Sequence, residues 1–186
     1  MTNFTITPSP IPDVKIIQPR KFEDDRGFFV ETWSQPALLA GGVDISFIQD
    51  NHSLSVATGT LRGVHFQRPP FAQDKLVRVV RGSVWDVAVD LRRSSPTFKQ
   101  WFGLELSAAN QTQLLVPIGF GHGFLTLEPD TEVIYKVSAP YSGQHDTGVT
   151  WDDEDLAIQW PLPVARPVLS AKDQTLPRLA DAKTFD

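Results

Sequence analysis

Arg62, His65 and Lys75 fall in one short stretch, TLRGVHFQRPPFAQDKL. Histidine exchanges a proton near neutral pH and is the natural carrier for acid–base work. An imidazole flanked by two cations, in segments that otherwise read as apolar strand, is unusual composition for a core. The stretch reads as the floor of a pocket. Arg62 and Lys75 also fit outward-facing strand charges, although both adjoin apolar runs near the Pro69-Pro70 bend, where a loop rim is expected. His122, in GFGHGF, is glycine-flanked and strand-like in the same way as His65. His52 follows Asn51 in a polar strand and suits a site or a surface. His145 lies in a polar turn and reads as a surface residue. Tyr135 fits a core aromatic, Tyr141 a loop-packing residue after Ala139-Pro140, and Asp173 a helix cap. Taken alone, the residues leave these readings open.

Positioning these groups falls to many short strands. Residues 1–13 are rich in proline, which cannot donate to a central ladder, and are expected as an extended arm or edge strand. Val14, Ile16 and Ile17 begin an apolar strand. Residues 19–27 read as a charged turn, with Asp25-Arg26-Gly27 as a tight bend. Residues 28–33 alternate and are rich in aromatic and β-branched types, hence strand. Ser34-Gln35-Pro36 opens a short helix that Gly41-Gly42 ends. Residues 47–53 form a polar strand. Residues 76–80 and 84–91 form two strands around Arg81-Gly82-Ser83, a hairpin signal. Trp85, Val87, Val89 and Leu91 mark one apolar face of the second. Further strands are expected over 98–106, 113–116 and 121–127, and 131–137 closes the series. Many short strands with hardly any helix indicate a sandwich or barrel. Beyond Trp151 the pattern breaks. Asp152-Asp153-Glu154-Asp155 reads as a solvated turn, and Ser170-Ala171-Lys172-Asp173 as a helix start.

Composition narrows the classes. The 186 residues suit a single domain: an arm over 1–13, a core over about 14–160 and a C-terminal segment over 161–186. No run of about 18 apolar residues suggests a membrane span. The N-terminus lacks a basic start followed by an apolar core, so no secretory signal is read. With no cysteine, disulfides and thiolate metal sites are excluded, and a cytoplasmic location is expected. A net charge of -5 argues against nucleic acid as a partner but not against a nucleotide-bearing small molecule.

Pro117-x-Gly119-x-x-His122 resembles the second motif of the cupin superfamily, a double-stranded β-helix or jelly roll. Metal-binding cupins add an earlier His-x-His and a carboxylate. The corresponding stretch here is His65-Phe66-Gln67, which lacks the second histidine. Three or four well-placed ligands are the usual need, so no metal is expected.

From about residue 14 to 173 the chain resembles the dTDP-4-dehydrorhamnose 3,5-epimerases, cupin-fold enzymes of deoxysugar nucleotide synthesis. The carriers, in order, are FEDDRGFFVETW, FIQDNHS, GTLRGVHFQ, KLVRVVRGSVWDVAVDLRRSSPTF, VPIGFGHGF, EVIYKVSAPY and LSAKD. The resemblance implies an all-β cupin fold with short peripheral helices. It implies a cofactor-free isomerase that inverts C3 and C5 of dTDP-4-dehydro-6-deoxy-D-glucose, giving dTDP-4-dehydro-L-rhamnose.

Both carbons adjoin a C4 ketone. A base must remove a weakly acidic C–H, something must hold the enolate oxygen, and an acid must return a proton to the opposite face. Carried over by motif, His65 is the base and Asp173 its partner. Lys75 faces the C4 oxygen, and Tyr135 is the acid. Arg62 and His122 line the sugar and phosphate end. Arg26, Phe29, Glu31, Gln49, Asn51 and Lys172 match substrate-binding positions, and Tyr141 stacks on the thymine base. In the family the segment holding Arg26 reaches the partner subunit's site, which implies a homodimer. A single-centre epimerase of a related sugar shares this residue set. A non-catalytic nucleotide-sugar-binding cupin would not need a base and an acid together, and a metal-dependent cupin oxygenase would need a bound metal.

Overall fold

A computed structural model describes residues 3–162 and 164–186. Met1, Thr2 and Pro163, parts of the expected arm and C-terminal segment, lie outside the described residues. The elements, in chain order, are β1 (Phe4–Pro8), β2 (Lys15–Pro19), β3 (Lys21–Asp24), β4 (Gly27–Val30), α1 (Gln35–Ala40), β5 (Gln49–Ser55), β6 (Leu61–Gln67), β7 (Lys75–Arg81), β8 (Ser83–Asp90), β9 (Trp101–Ser107), β10 (Gln113–Val116), β11 (Phe120–Thr126), β12 (Thr131–Val137) and β13 (Asp146–Gly148). A single 3-10 turn spans Asp173–Thr175.

One sheet has six strands in the order β1-β2-β10-β7-β12-β5, and the other has five in the order β13-β6-β11-β8-β9. From β5 onward the chain alternates between the sheets, except that β8 and β9 are neighbours in one of them. This wrapping gives the expected jelly roll. It also corrects the hairpin expected at Arg81-Gly82-Ser83: β7 and β8 belong to different sheets and do not pair. Gly82 adopts φ +73°, and a Cβ there would collide with Thr131 Oγ1. The tight turn is real, but it carries the chain across the sandwich. Strand β8 is buried on both faces, with Val84 and Ala88 facing the other sheet and Val87, Val89 and Leu91 facing outward.

The C-terminal segment covers that outward face. Leu156, Ile158 and Leu179 pack over Val87, Val89 and Leu91. Burying side chains of this size contributes about 1.5–3 kcal/mol each. The acidic run 152–155 is therefore not simply a solvated turn. Asp153 is only 4% exposed. Its carboxylate accepts the backbone N–H groups of Asp155 (3.0 Å), Leu156 (3.1 Å) and Leu179 (2.8 Å). It knots together the segment that delivers Asp173 to the site.

At the other end, β1 is an edge strand paired to β2, as the prolines require. Helix α1 opens after Ser34 with Pro36 in its first turn and ends at Gly41-Gly42, where Gly42 adopts φ +81°. Leu38 packs on Ile17, Leu76 and Leu115, covering the outer face of the six-stranded sheet. The charged turn expected over 19–27 is a hairpin of its own, β3 with β4, reversing at Asp25-Arg26. Strand β13 extends the series past 131–137, pairing with β6.

Candidate active site

The space between the sheets is filled from one end by apolar side chains, among them Val77, Val79, Leu114, Phe120 and Phe124. Toward the other end polar groups replace them around two adjoining chambers of about 280 Å³ and about 160 Å³. His65, Lys75, Tyr135 and Lys172 line both. Arg62, His122 and Asp173 line the larger, and Gln49, Asn51 and Tyr141 the smaller. A further cavity of about 340 Å³, lined by Asp50, His52, Arg78 and Lys136, lies on the outer face of the six-stranded sheet. Strand alternation places these residues on the opposite side from Tyr135 and Lys75.

Strand parity accounts for most of this placement. On β5, Gln49, Asn51 and Ser53 share the inward face. Lys75 and Tyr135 lie on neighbouring strands, in register with Val137 and Val77 respectively. Arg62 and His65 are three residues apart, which in a regular strand would put them on opposite faces. A bulge resolves this. His65 pairs with His122 and Arg62 with Phe124, so three steps on β6 oppose two on β11. The extra residue lies at the Gly63 turn of the strand, where φ is +136° and a Cβ would sit 2.5 Å from the Gly123 Cα. Only glycine permits that approach.

His65 Nε2 lies 2.5 Å from Asp173 Oδ1. Asp173 also accepts a 2.6 Å bond from Ser170 Oγ and one from the Gly63 backbone. Burial pushes the Asp173 carboxyl up, but the bonds from His65, Ser170 and Gly63 outweigh it and hold it below its usual range. Burial pushes His65 down, against the pull of Asp173. The resting pair is thus a neutral imidazole and an ionised carboxylate. A carboxylate only accepts, so Nε2 carries the proton and Nδ1 keeps the free lone pair. Among the described residues Nδ1 has no hydrogen-bond partner.

Lys75 is pushed down to about 8, chiefly by burial. Its ammonium has no hydrogen-bond partner among the described residues. The Tyr135 phenol has none either, and burial raises its pKa, so it stays protonated. His122 Nε2 lies 3.0 Å from both oxygens of Asp86, which is fully buried. Arg62 donates to Ser55 Oγ (3.1 Å) and the Leu54 carbonyl (3.0 Å), which fixes its fork along β5. Gln49 donates to Asn51 (2.8 Å). Asp146 accepts from Lys172 (2.5 Å) and Tyr141 (3.1 Å).

Three expected binding residues lie elsewhere in the chain. Arg26 and Phe29 sit on the β3–β4 hairpin, exposed, with Arg26 paired to Asp24. Glu31 accepts from Asn3. None of the three lines the chambers. Asp86, Asp146 and Gln67 belong to the site although the sequence does not single them out. Gln67 bridges the carbonyls of Phe71 and Pro140 and the Ser142 N–H, bracing the loops that rim the smaller chamber. His52 pairs with Glu132 on the outer face, and His145 with Ser142. Among the described residues no group of three or more His, Cys, Asp or Glu is placed to hold a metal ion. No helix of the described residues is long and apolar enough to cross a membrane.

The geometry sets the pH dependence of a reaction using His65 as base and Lys75 as cation. His65 must be neutral, and its lowered pKa puts the acid limb below the ordinary histidine value of 6.5. Lys75 must be charged, so activity falls as pH rises through about 8. A bell-shaped kcat/KM profile between these limits is expected from initial rates across pH. A flat profile past about pH 9 would remove Lys75 from that role.

Two facing antiparallel sheets wrapped in jelly-roll order, with a polar chamber between them, make this a cupin. The family described as dTDP-4-dehydrorhamnose 3,5-epimerase matches residues 8–181. A curated protein of that name from Sinorhizobium fredii is 51% identical over 92% of this chain and 87% of its own. Among solved structures, the epimerase of the same name from Bacillus anthracis, with TDP and PPi bound, superimposes with a TM-score of 0.91. It is 52% identical, over 94% of this chain and 99% of that one. The dTDP-6-deoxy-D-glucose-3,5-epimerase of Legionella pneumophila, in complex with dTDP-4-keto-L-rhamnose, also gives 0.91, at 40% identity over 95% and 93% of the two chains. The chain belongs to the dTDP-4-dehydrorhamnose 3,5-epimerase family, and it is an epimerase.

Proposed function

We propose that the protein inverts C3 and C5 of dTDP-4-dehydro-6-deoxy-D-glucose to give dTDP-4-dehydro-L-rhamnose. The carrying observation is that His65 and Tyr135 stand on opposite sheets and line the same chambers, with Lys75 also on their walls. Inversion requires a proton to leave one face of the carbon and return to the other. A base on β6 and an acid on β12 meet that demand without either group moving. His65 Nδ1 takes the proton, and Asp173 stabilises the imidazolium that forms. Lys75 holds the enolate oxygen, where preorganised charge lowers the barrier most. Tyr135 returns a proton from the far side. Each inversion leaves His65 protonated and Tyr135 ionised, so His65 loses its proton to solvent and Tyr135 regains one from it after the first inversion and again after the second.

Arg62 and His122 hold the sugar and phosphate end in this reading, with Lys172 nearby. Tyr141, 64% exposed at the rim, offers its ring to the thymine base. Gln49 and Asn51 border the same chamber. Arg26, Phe29 and Glu31 act on a second subunit. The hairpin that carries Arg26 and Phe29 exposes large aromatic side chains among its charges, with Phe28 57% and Phe29 70% accessible, as an element that docks on a partner would. The enzyme works as a homodimer in the cytoplasm.

The test is proton NMR of dTDP-4-keto-6-deoxyglucose incubated with the enzyme in D₂O, with no reductase. Deuterium at both C3 and C5 is expected. Deuterium at one carbon would make the protein a single-centre epimerase, and none at either, with nucleotide binding retained, would sink the reading.

A further inference from the structure

We propose that Asp146 is a positioning residue that keeps Lys75 charged, by presenting its carboxylate to the chamber while anchoring Lys172 and Tyr141 at the rim. The inference rests on the reading of Lys75 as the cation for the enolate oxygen. The titratable and charged groups that share the chamber walls with Lys75 are Arg62 and His65 on β6, His122 on β11, Tyr135 on β12, Tyr141 before β13, Asp146 on β13, and Lys172 and Asp173 from the C-terminal segment. Asp86 on β8 also acts on it electrostatically. The cations among these oppose a charge on Lys75. Of the three carboxylates, Asp173 is engaged by His65 and Ser170, and Asp86 by His122. Asp146 is the one not bonded to a histidine.

Its bond to Lys172 does not cancel it. The Lys172 side chain is 45% exposed and the Asp146 side chain 15%. Water screens the lysine more than the carboxylate, so the pair presents a net negative end to the interior. Asp146 is correspondingly the strongest of the charges that oppose the burial penalty on Lys75, ahead of Asp86. The position depends on β13. Asp146 is in register with Gln67, two steps along from the Gly148–His65 pair, so the strand that carries it is fixed to the strand that carries the base.

A direct test needs no substrate. Trace acetylation of ligand-free enzyme with acetic anhydride from about pH 6 to 10, read at the Lys75 peptide by mass spectrometry, gives the midpoint of that ammonium. The wild-type midpoint is expected near 8. Asp146→Asn should lower it, and Asp146→Glu should restore it. In turnover, kcat/KM of Asp146→Asn should fall about threefold at about pH 8 and less than about 1.5-fold at about pH 6.5, as a downward-moved alkaline limb requires. Equal midpoints in wild type and Asp146→Asn would overturn the proposal, whatever sugar the enzyme acts on. So would a loss of rate that is the same at every pH, which is the mark of a mere brace. A wild-type enzyme that shows no deuterium exchange would refute the proposed function instead, and the labelling midpoints would still decide the role of Asp146.

Discussion

His65→Asn is expected to cut deuterium exchange at both carbons by about 10²–10⁴-fold, the contribution of a positioned general base. Nucleotide affinity should change little. The substitution suits the site physically. The shorter Asn side chain does not reach the Nε2 position, but the Asp173 carboxylate, only 3% exposed, keeps its 2.6 Å bond from Ser170 Oγ, so the C-terminal segment stays docked. What disappears is the lone pair at Nδ1. The loss should appear in kcat rather than KM, because a base that touches a C–H contributes little to ground-state binding. The measurement is the rate of C–H exchange in D₂O beside a titration with dTDP. Unchanged exchange would remove His65 as the base. A parallel loss of dTDP affinity would mean that the ring had been holding the ligand.

Much of this site is legible in the amino-acid sequence, for identifiable reasons. Helix α1 is punctuated by Pro36 and Gly42, whose backbone constraints are local, and both ends fall where they dictate. Strands β10 and β12 match their expected spans because apolar alternation and turns bound them on both sides. Other features depend on distant parts of the chain. His65 and Asp173 are 108 residues apart, and only the family resemblance of LSAKD links them in sequence. The hairpin signal at Gly82 reports a tight turn correctly, but a local turn cannot say whether its flanking strands pair. Parity alone would set Arg62 and His65 on opposite faces, since a bulge is specified by contact with Gly123 on another strand.

Asp86 does carry a usable sign in the sequence. It shares the face of Val84 and Ala88, so it is a carboxylate aimed inward from the middle of an apolar strand. Burial of such a group requires a partner, and the strand paired with β8 supplies His122. Asp146 carries no such sign. It lies in a polar turn-rich stretch and matters only because three residues there pair with the end of β6. The β3–β4 hairpin is the converse case. Its motif is plain in the sequence, yet within one chain its residues meet no part of the chambers.

Tyr135→Phe should separate two processes that the wild-type enzyme couples. The phenol has no hydrogen-bond partner among the described residues, so its removal leaves no buried group unsatisfied and the fold should persist. His65, Asp173 and Lys75 remain, so abstraction and enolate formation should continue. Reprotonation on the far face should fail, and the proton should return from the His65 side. Substrate hydrogen then washes out into D₂O with the original configuration retained. The expected result is exchange within about tenfold of wild type, with formation of inverted product down by about 10²-fold or more, the usual loss on removing a general acid. Comparing NMR integrals of exchanged substrate and inverted product over time reads both rates in one tube. If exchange and inversion fall together, Tyr135 is supporting the oxyanion or the sugar. The acid would then have to be sought among the remaining proton donors of the chamber. His122 would be the first to test, since it reaches the larger chamber from the five-stranded sheet, on the same side as His65. An acid on that side would demand that the sugar ring turn between abstraction and return. The opposed placement of His65 and Tyr135 makes that motion unnecessary.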